Sequence, residues 1–242
     1  MSGSKKIITM ISISFALLLS GCMFPQGERA KNQVPYDTQI SSVQQALDQF
    51  REDNNVLPIK TTEQETPTYQ KYTIDFGKLI PRYMQEPPGN SFENGGSYQY
   101  VIIDPEDKAE VKVIDLSVMR NIQELQRAIN MYIGENDYAP IKESVGPGLF
   151  EIDFDRLDYN GDTVVESPYH DDTSLPLLMN ERGEVRIDYA IDINIALQDF
   201  NHDFEKGDDI RAILTRNYPI VPAFSVPYTL DERKEPTFKQ EE

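Results

Sequence analysis

The chain has 242 residues, a formal net charge of −18 and a single cysteine. That charge argues against nucleic acid as a partner, because binding a phosphate backbone needs a basic footprint. A lone cysteine builds no internal disulfide, so the core must hold by burial alone.

Lys5 and Lys6 precede an apolar run from Ile7 to Leu19. A positive start followed by about a dozen apolar residues is the pattern of a signal peptide, and the run is short for a membrane span. Leu19-Ser20-Gly21-Cys22 follows and resembles the lipobox of bacterial lipoproteins, in which the Cys is acylated and becomes the new N-terminus. A membrane helix with a chance cysteine is the alternative. The resemblance implies a lipoprotein signal peptide at 1–21, a lipid (palmitate) on Cys22, and contact with the bilayer of the cell membrane from its extracytoplasmic face. Residues 22–37, with Pro25, Gly27 and Pro35, read as the lipidated Cys and a tether. Loss of 1–21 removes Lys5 and Lys6 and no acid, so the mature chain is more acidic still. That charge repels anionic lipid and anionic wall polymer and leaves the acyl chains to hold the protein.

Ile40, Val43, Leu47 and Phe50 have helical spacing, and Asp53-Asn54-Asn55 and Pro58 stop the helix. Roughly 80 residues later the pattern returns. Ile122, Leu125, Ile129 and Tyr132 repeat the apolar face, and Glu135-Asn136-Asp137 and Pro140 repeat the stop. Ala46 to Lys60 (ALDQFREDNNVLPIK) aligns without gaps to Ala128 to Lys142 (AINMYIGENDYAPIK). Tyr72 to Leu79 answers Phe150 to Leu157, and Glu110 to Val113 answers Glu184 to Ile187. Three blocks in one order define an internal repeat: module 1 at 38–116 and module 2 at 117–189. Each reads as a helix, a variable loop, an Ile-Asp-Phe segment and a hairpin. The hairpin strands are Ser97 to Ile103 with Ala109 to Leu116, and Leu175 to Met179 with Glu184 to Tyr189. A helix on one face of a small antiparallel sheet makes the expected fold class α+β, as two tandem modules with a C-terminal extension.

The first module carries a resemblance. Ala46-Leu47 with Phe50, Asp53-Asn54 and Pro58, then Leu79-Ile80-Pro81-Arg82-Tyr83-Met84, Pro87 and Gly95-Gly96-Ser97-Tyr98-Gln99-Tyr100, look like the globular part of type II secretion pseudopilins. The second module matches only at the helix end and the turn. Pseudopilins polymerise through a long apolar N-terminal helix. A lipobox and polar tether stand in that place here, which argues against pilus-like assembly. The whole chain is similar to an uncharacterised lipoprotein family of spore-forming firmicutes, which supplies an address and no activity.

Residues 190–242 open on Ile193, Leu197, Phe200 and Phe204, read as a helix although Ile191 to Leu197 also alternates like a strand. Asp208 to Arg216 fits a short further helix. Tyr218 to Tyr228, with Pro219, Pro222 and Pro227, is extended and unsuited to a central strand. It either covers the sheet edges of the modules or presents an ordered peptide to a partner. The charged tail after Asp231 reads as disordered.

Motifs for chemistry are sparse. Glu151, Asp153 and Asp155 alternate with Ile152 and Phe154 as on a strand. Asp158-Tyr159-Asn160-Gly161-Asp162 has a calcium-loop flavour. Its Gly falls too early, however, and Tyr169 stands where a bidentate Glu is needed. Asn160-Gly161 is equally a type I′ turn. His170 and His202 are the only histidines, without a zinc spacing. His170 beside Asp171 and Asp172 reads as a pH-sensitive surface residue. Nucleophile and phosphate-loop motifs are lacking. The expectation is therefore a non-enzymatic interaction or structural module in an envelope or sporulation-related assembly, with no cofactor, no metal, and a protein partner in the envelope. A solute-binding lipoprotein of a transporter is the alternative, and an envelope hydrolase a second one.

Overall fold

Helix α1, Tyr36–Asn54, buries the stripe Val43, Ala46, Leu47 and Phe50. Its end is set locally. Asn55 takes a left-handed φ of 54° and donates its N–H to Arg51 O at 2.9 Å, while Asn54 Nδ2 bonds Phe50 O at 2.8 Å. Asparagine tolerates this conformation because its short side chain bonds nearby backbone. The computed structural model describes residues 36–63 and 66–239. The expected signal peptide, Cys22 and most of the expected tether (through residue 35) lie outside the described residues. Among those described, no helix is long and apolar enough to cross a membrane.

The first copy continues through the one-turn helix α2, Phe76–Leu79, to the hairpin β1, Tyr98–Ile103, and β2, Glu110–Asp115, paired antiparallel from Tyr98↔Asp115 to Ile103↔Glu110. Helix α3, Met119–Asn136, opens the second copy and buries Ile122, Leu125 and Ile129. Strands β3, Ile141–Gly146, β4, Leu149–Ile152, β5, Val164–Glu166, β6, Ser174–Asn180, and β7, Val185–Ile187, follow. They form an antiparallel sheet ordered β3-β4-β6-β5, with β7 also on β6. The α+β expectation holds.

The repeat is legible down to single hydrogen bonds. Asp137 ends α3 at φ 63° with N–H to Ile133 O at 2.9 Å, and Asn136 Nδ2 bonds Tyr132 O, as at Asn55 and Asn54. Asp75 N donates to Pro58 O at 2.7 Å, and Asp153 N to Pro140 O at 2.8 Å. Gln44 reaches from α1 to the first hairpin, donating to Ala109 O and accepting from Val111 N; Gln126 reaches from α3 to the second, donating to Gly183 O and accepting from Val185 N. Each glutamine satisfies one carbonyl and one N–H at the start of the return strand, which ties helix to sheet in both copies.

Helix α4, Ala190–Asp199, follows β7 and confirms the helical choice, but it stops at Asp199, so Phe200 and Phe204 lie beyond it. Helix α5 is Ala212–Asn217, shorter than the 208–216 expectation. The proline-aromatic segment then covers the sheet edges. Val113 N donates to Pro219 O at 3.0 Å and Val221 N to Val113 O at 2.9 Å. Ile187 N donates to Phe224 O at 2.8 Å and Val226 N to Ile187 O at 3.2 Å. Val113 and Ile187 are corresponding positions of the two hairpins, so one strap pairs in parallel with both. Its Val221, Ala223 and Val226 are buried, which explains how an extended segment with three prolines is held.

The charged tail is a correction. Strands β8, Tyr228–Leu230, and β9, Pro236–Phe238, form a further antiparallel hairpin. Asp231 turns the chain by accepting from Arg233 N at 2.7 Å and Glu235 N at 2.9 Å, and Phe238 packs on Tyr228 with ring centroids 5.2 Å apart. Tertiary packing of one aromatic outweighs the polar composition. The described residues from 37 to 239 belong to one compact unit, whose largest core runs from Ile122 on α3 through β4–β7 to Ile193 on α4, Ile213 on α5 and Tyr228 on β8.

Candidate functional site

The acidic stretch 151–172 does not gather. The alternation ends at Ile152, and Asp153 begins a turn in which its carboxylate accepts from Arg156 N at 2.9 Å and pairs with Arg156 Nε at 3.4 Å. This is the counterpart of Asp75, which caps Gly77 N and lies 3.9 Å from Lys78. The left-handed residue of the following loop is Asp158, at φ 49°, so Asn160-Gly161 is not a type I′ turn. Asp162 accepts from Asn121 at 3.1 Å. Among the described residues no group of three or more His, Cys, Asp or Glu side chains is placed to hold a metal ion.

His170 does not face Asp171 or Asp172 for its partner. Its Nδ1 lies 2.8 Å from Asp192 Oδ1, on the buried face of α4. Ser167 Oγ donates to the same carboxylate and accepts from Tyr169 N and His170 N. Asp192 is fully buried, and burial raises its pKa against the opposing hydrogen bonds of His170 and Ser167 and the charge of His170. Serine, histidine and aspartate are all present, yet the hydroxyl is engaged by the carboxylate and not by the imidazole. In a serine-histidine-aspartate triad the imidazole takes the hydroxyl proton and the carboxylate stands behind the imidazole, which is not the order here. The knot instead fastens the loop after β5 to α4. Asp192 sits among Ile191, Ile193 and Ile195 in the sequence, and only the fold reveals its partner.

A cleft of about 560 Å³ lies elsewhere, built from three parts of the chain. The long loop of the first copy supplies Tyr69, from the 3₁₀ turn Thr68–Gln70. The second hairpin supplies Arg182 from its turn and Arg186 from β7. The C-terminal extension supplies Asp209, Arg211 and Lys239. Proline and aromatic residues of the strap, Pro222, Phe224 and Pro227, make a stiff apolar wall.

Carboxylates fix the guanidiniums of this cleft. Arg211 Nε and Nη2 bond Asp209 at 2.8 and 2.5 Å, Nη1 reaches Ser225 O at 3.4 Å, and the group lies over the Tyr69 ring at 5.2 Å from its centroid. Arg186 Nη2 meets Glu184 Oε2 at 2.5 Å, and Arg182 Nε meets the same oxygen at 3.2 Å. Burial pushes the Glu184 carboxyl up, but the Asn180 hydrogen bond and the charges of Arg186 and Arg182 outweigh it and leave the pKa lowered. Burial, helped by the charge of Asp209 and opposed by Arg211, raises the Tyr69 phenol, so it stays a neutral donor. None of these residues was singled out from sequence as a site. The first hairpin carries Lys108 and Lys112 at the positions of Arg182 and Arg186, so the sequence offered no signal that set the second hairpin apart.

Fold and cleft define a class: an α+β protein with a duplicated helix–hairpin module closed by a C-terminal strap. Residues 36–115 match the model of the YphF family N-terminal domain, an uncharacterised family. The matched segment runs from the start of α1 to the end of β2. No curated protein matches the chain, and no solved structure does.

Proposed function

We propose that the chain is a lipoprotein held on the extracytoplasmic face of the cell membrane by acylated Cys22, and that its modules act there as a non-enzymatic binding platform in an envelope or sporulation-related assembly. The sequence Lys5 to Cys22 carries this reading: a basic start, an apolar run and Leu19-Ser20-Gly21-Cys22 in succession. The pseudopilin likeness of the first module supports a role in an envelope assembly, with a lipid in place of the filament-building helix. The Ser167–Asp192–His170 arrangement supports a fastening role over hydrolysis, because its hydroxyl is held by the buried Asp192 carboxylate and no hydrogen bond joins it to the imidazole ring. The test is growth with a labelled fatty acid, followed by membrane fractionation and crosslinked capture of neighbours. Wild type should take the label, sediment with membranes and retain an envelope protein that is lost with Cys22→Ala. A wild-type chain without label ends the anchor reading, and a labelled chain without neighbours ends the platform reading.

The second reading, a solute-binding lipoprotein, is favoured by one observation, the cleft beside Tyr69. Recovery of a permease in the same capture would promote it.

A further inference from the structure

We infer that the C-terminal end of α3 is a docking surface for a protein segment that presents an arginine beside an aromatic residue. The first copy shows how such a segment is held. Tyr83, from the loop after α2, packs edge to face on Phe50 of α1, with ring centroids 5.3 Å apart. Its hydroxyl donates to Asp53 Oδ2 at 3.0 Å and accepts from Asn54 Nδ2 at 3.0 Å. Arg82 Nη2 donates to the same Asp53 oxygen at 2.7 Å, and its guanidinium lies over the Tyr83 ring. An aromatic, an acid and an amide of α1 thus receive two residues of the loop.

The ungapped repeat puts Tyr132, Glu135 and Asn136 at those positions of α3. The receiving set is kept, and the segment that fills it is not. The loop after Leu157 sends Tyr159 onto Phe154, at 6.0 Å between centroids. Phe50 is accordingly 9% exposed, whereas Tyr132 is only partly buried and Met131 beside it is 67% exposed. Tyr138, where the first copy has Val56, packs edge-on to Tyr132 at 5.7 Å and is itself 54% exposed, which widens the aromatic surface. Asn136 Nδ2 spends one N–H on Tyr132 O, and an amide nitrogen carries two. Glu135 and Asp137 are exposed and make no ion pair among the described residues. Arg156, whose charge reaches Tyr132, is taken by Asp153 at 3.4 Å. An aromatic face rimmed by uncompensated carboxylates complements a guanidinium next to a ring. A second copy of the chain is a poor source of that pair, because its Arg82 and Tyr83 are already engaged. The inference rests on the platform reading and gives it a place and a partner chemistry.

The test is NMR of the full chain in detergent micelles, labelled at methionine methyls and titrated with an end-blocked peptide of Ile80 to Gln85 up to about 10 mM. The Met131 methyl should shift saturably, and Met84, in the copy already filled, should not. Tyr83→Ala in the peptide should weaken binding about tenfold. Glu135→Lys in the protein should weaken it about threefold without altering the melting temperature, and Arg82→Glu in the peptide should restore binding to that variant. No shift of Met131, or a shift indifferent to these changes, overturns the inference. A concentration-dependent dimer that Glu135→Lys dissolves would overturn it in favour of a second copy. Broadening of Met131 by a spin-labelled detergent would overturn it in favour of the bilayer. None of these outcomes alters the neighbour capture compared with Cys22→Ala, so the platform reading stands or falls separately.

Discussion

Residues 36–115 and 119–187 share a helix end, an Ile-Asp-Phe turn and a hairpin tied down by a glutamine, and they differ in the loops between these parts. In the first copy the bridge Ile59↔Ile74 encloses a long loop that carries Tyr69 into the cleft. In the second the matching pair Ile141↔Ile152 encloses a shorter segment that closes as the β3–β4 hairpin around Gly148, at φ 68°. Before the hairpin, the first copy inserts the prolines and glycines of 81–96, and the second inserts β5 with Ser167 and His170. The shared parts build the fold. The unshared loops contribute Tyr69 to one polar cluster and Ser167 and His170 to the other.

The equivalence can be broken first in the core. Leu47 and Ile129 occupy corresponding helix positions, and both are fully buried. Each change to Ala should cost about 2–5 kcal/mol in urea unfolding. If the strap couples the copies, both variants move one common transition. Two transitions that respond separately would show independent modules.

The second copy's knot comes next. Asp192→Ala removes the acceptor of Ser167 and the partner of His170 and should destabilise by about 3 kcal/mol. Asp192→Asn, which keeps an acceptor, should cost less than half as much. Equal losses would mean that the negative charge, and not the hydrogen-bond frame, holds the loop.

A smaller effect separates the hairpin turns. The carbonyl held by Gln44 belongs to Ala109 at φ 49°, whereas Gln126 holds Gly183 at φ 75°. A left-handed backbone costs an L-residue about 1 kcal/mol and glycine almost nothing. Ala109→Gly should therefore stabilise by up to about 1 kcal/mol, and Gly183→Ala should destabilise by a similar amount. Thermal melts that move the two in the same direction would refute the correspondence.

The smallest effect is electrostatic. The Glu184 pKa is lowered in the fold from its ordinary 4.5. Its contribution is present above that value and is lost as pH falls through the lower folded value. Asp192, with its pKa raised above 3.8, has the opposite sign: its contribution is favourable below 3.8 and declines as pH rises to the folded value. Stability measured from pH 7 to pH 3 should fall less steeply for Glu184→Gln than for wild type. Because Glu184 is partly exposed, the difference should shrink in high salt.

Much of the scaffold was legible in the chain. Helical spacing gave α1 and α3, Asn54-Asn55 and Asn136-Asp137 gave their ends, and the turn residues gave both hairpins, because each depends on neighbours in sequence. The acidic alternation misled because Asp153 is a capping residue, and the tail after Asp231 misled because Phe238 finds Tyr228. The candidate site was the least legible part. Tyr69, Arg186 and Arg211 are distant in sequence, and no local pattern relates them.

The sequence by itself determined the repeat, the α+β class and the stops of the first two helices, since periodicity, caps and turns are short-range properties. Only the tertiary structure decided that one strap pairs with Val113 and Ile187, that Asp192 is buried against His170, and that basic side chains meet in a cleft of an acidic protein. Those outcomes depend on which surfaces close over one another, and burial changes the energetics of a charge in ways that composition does not reveal.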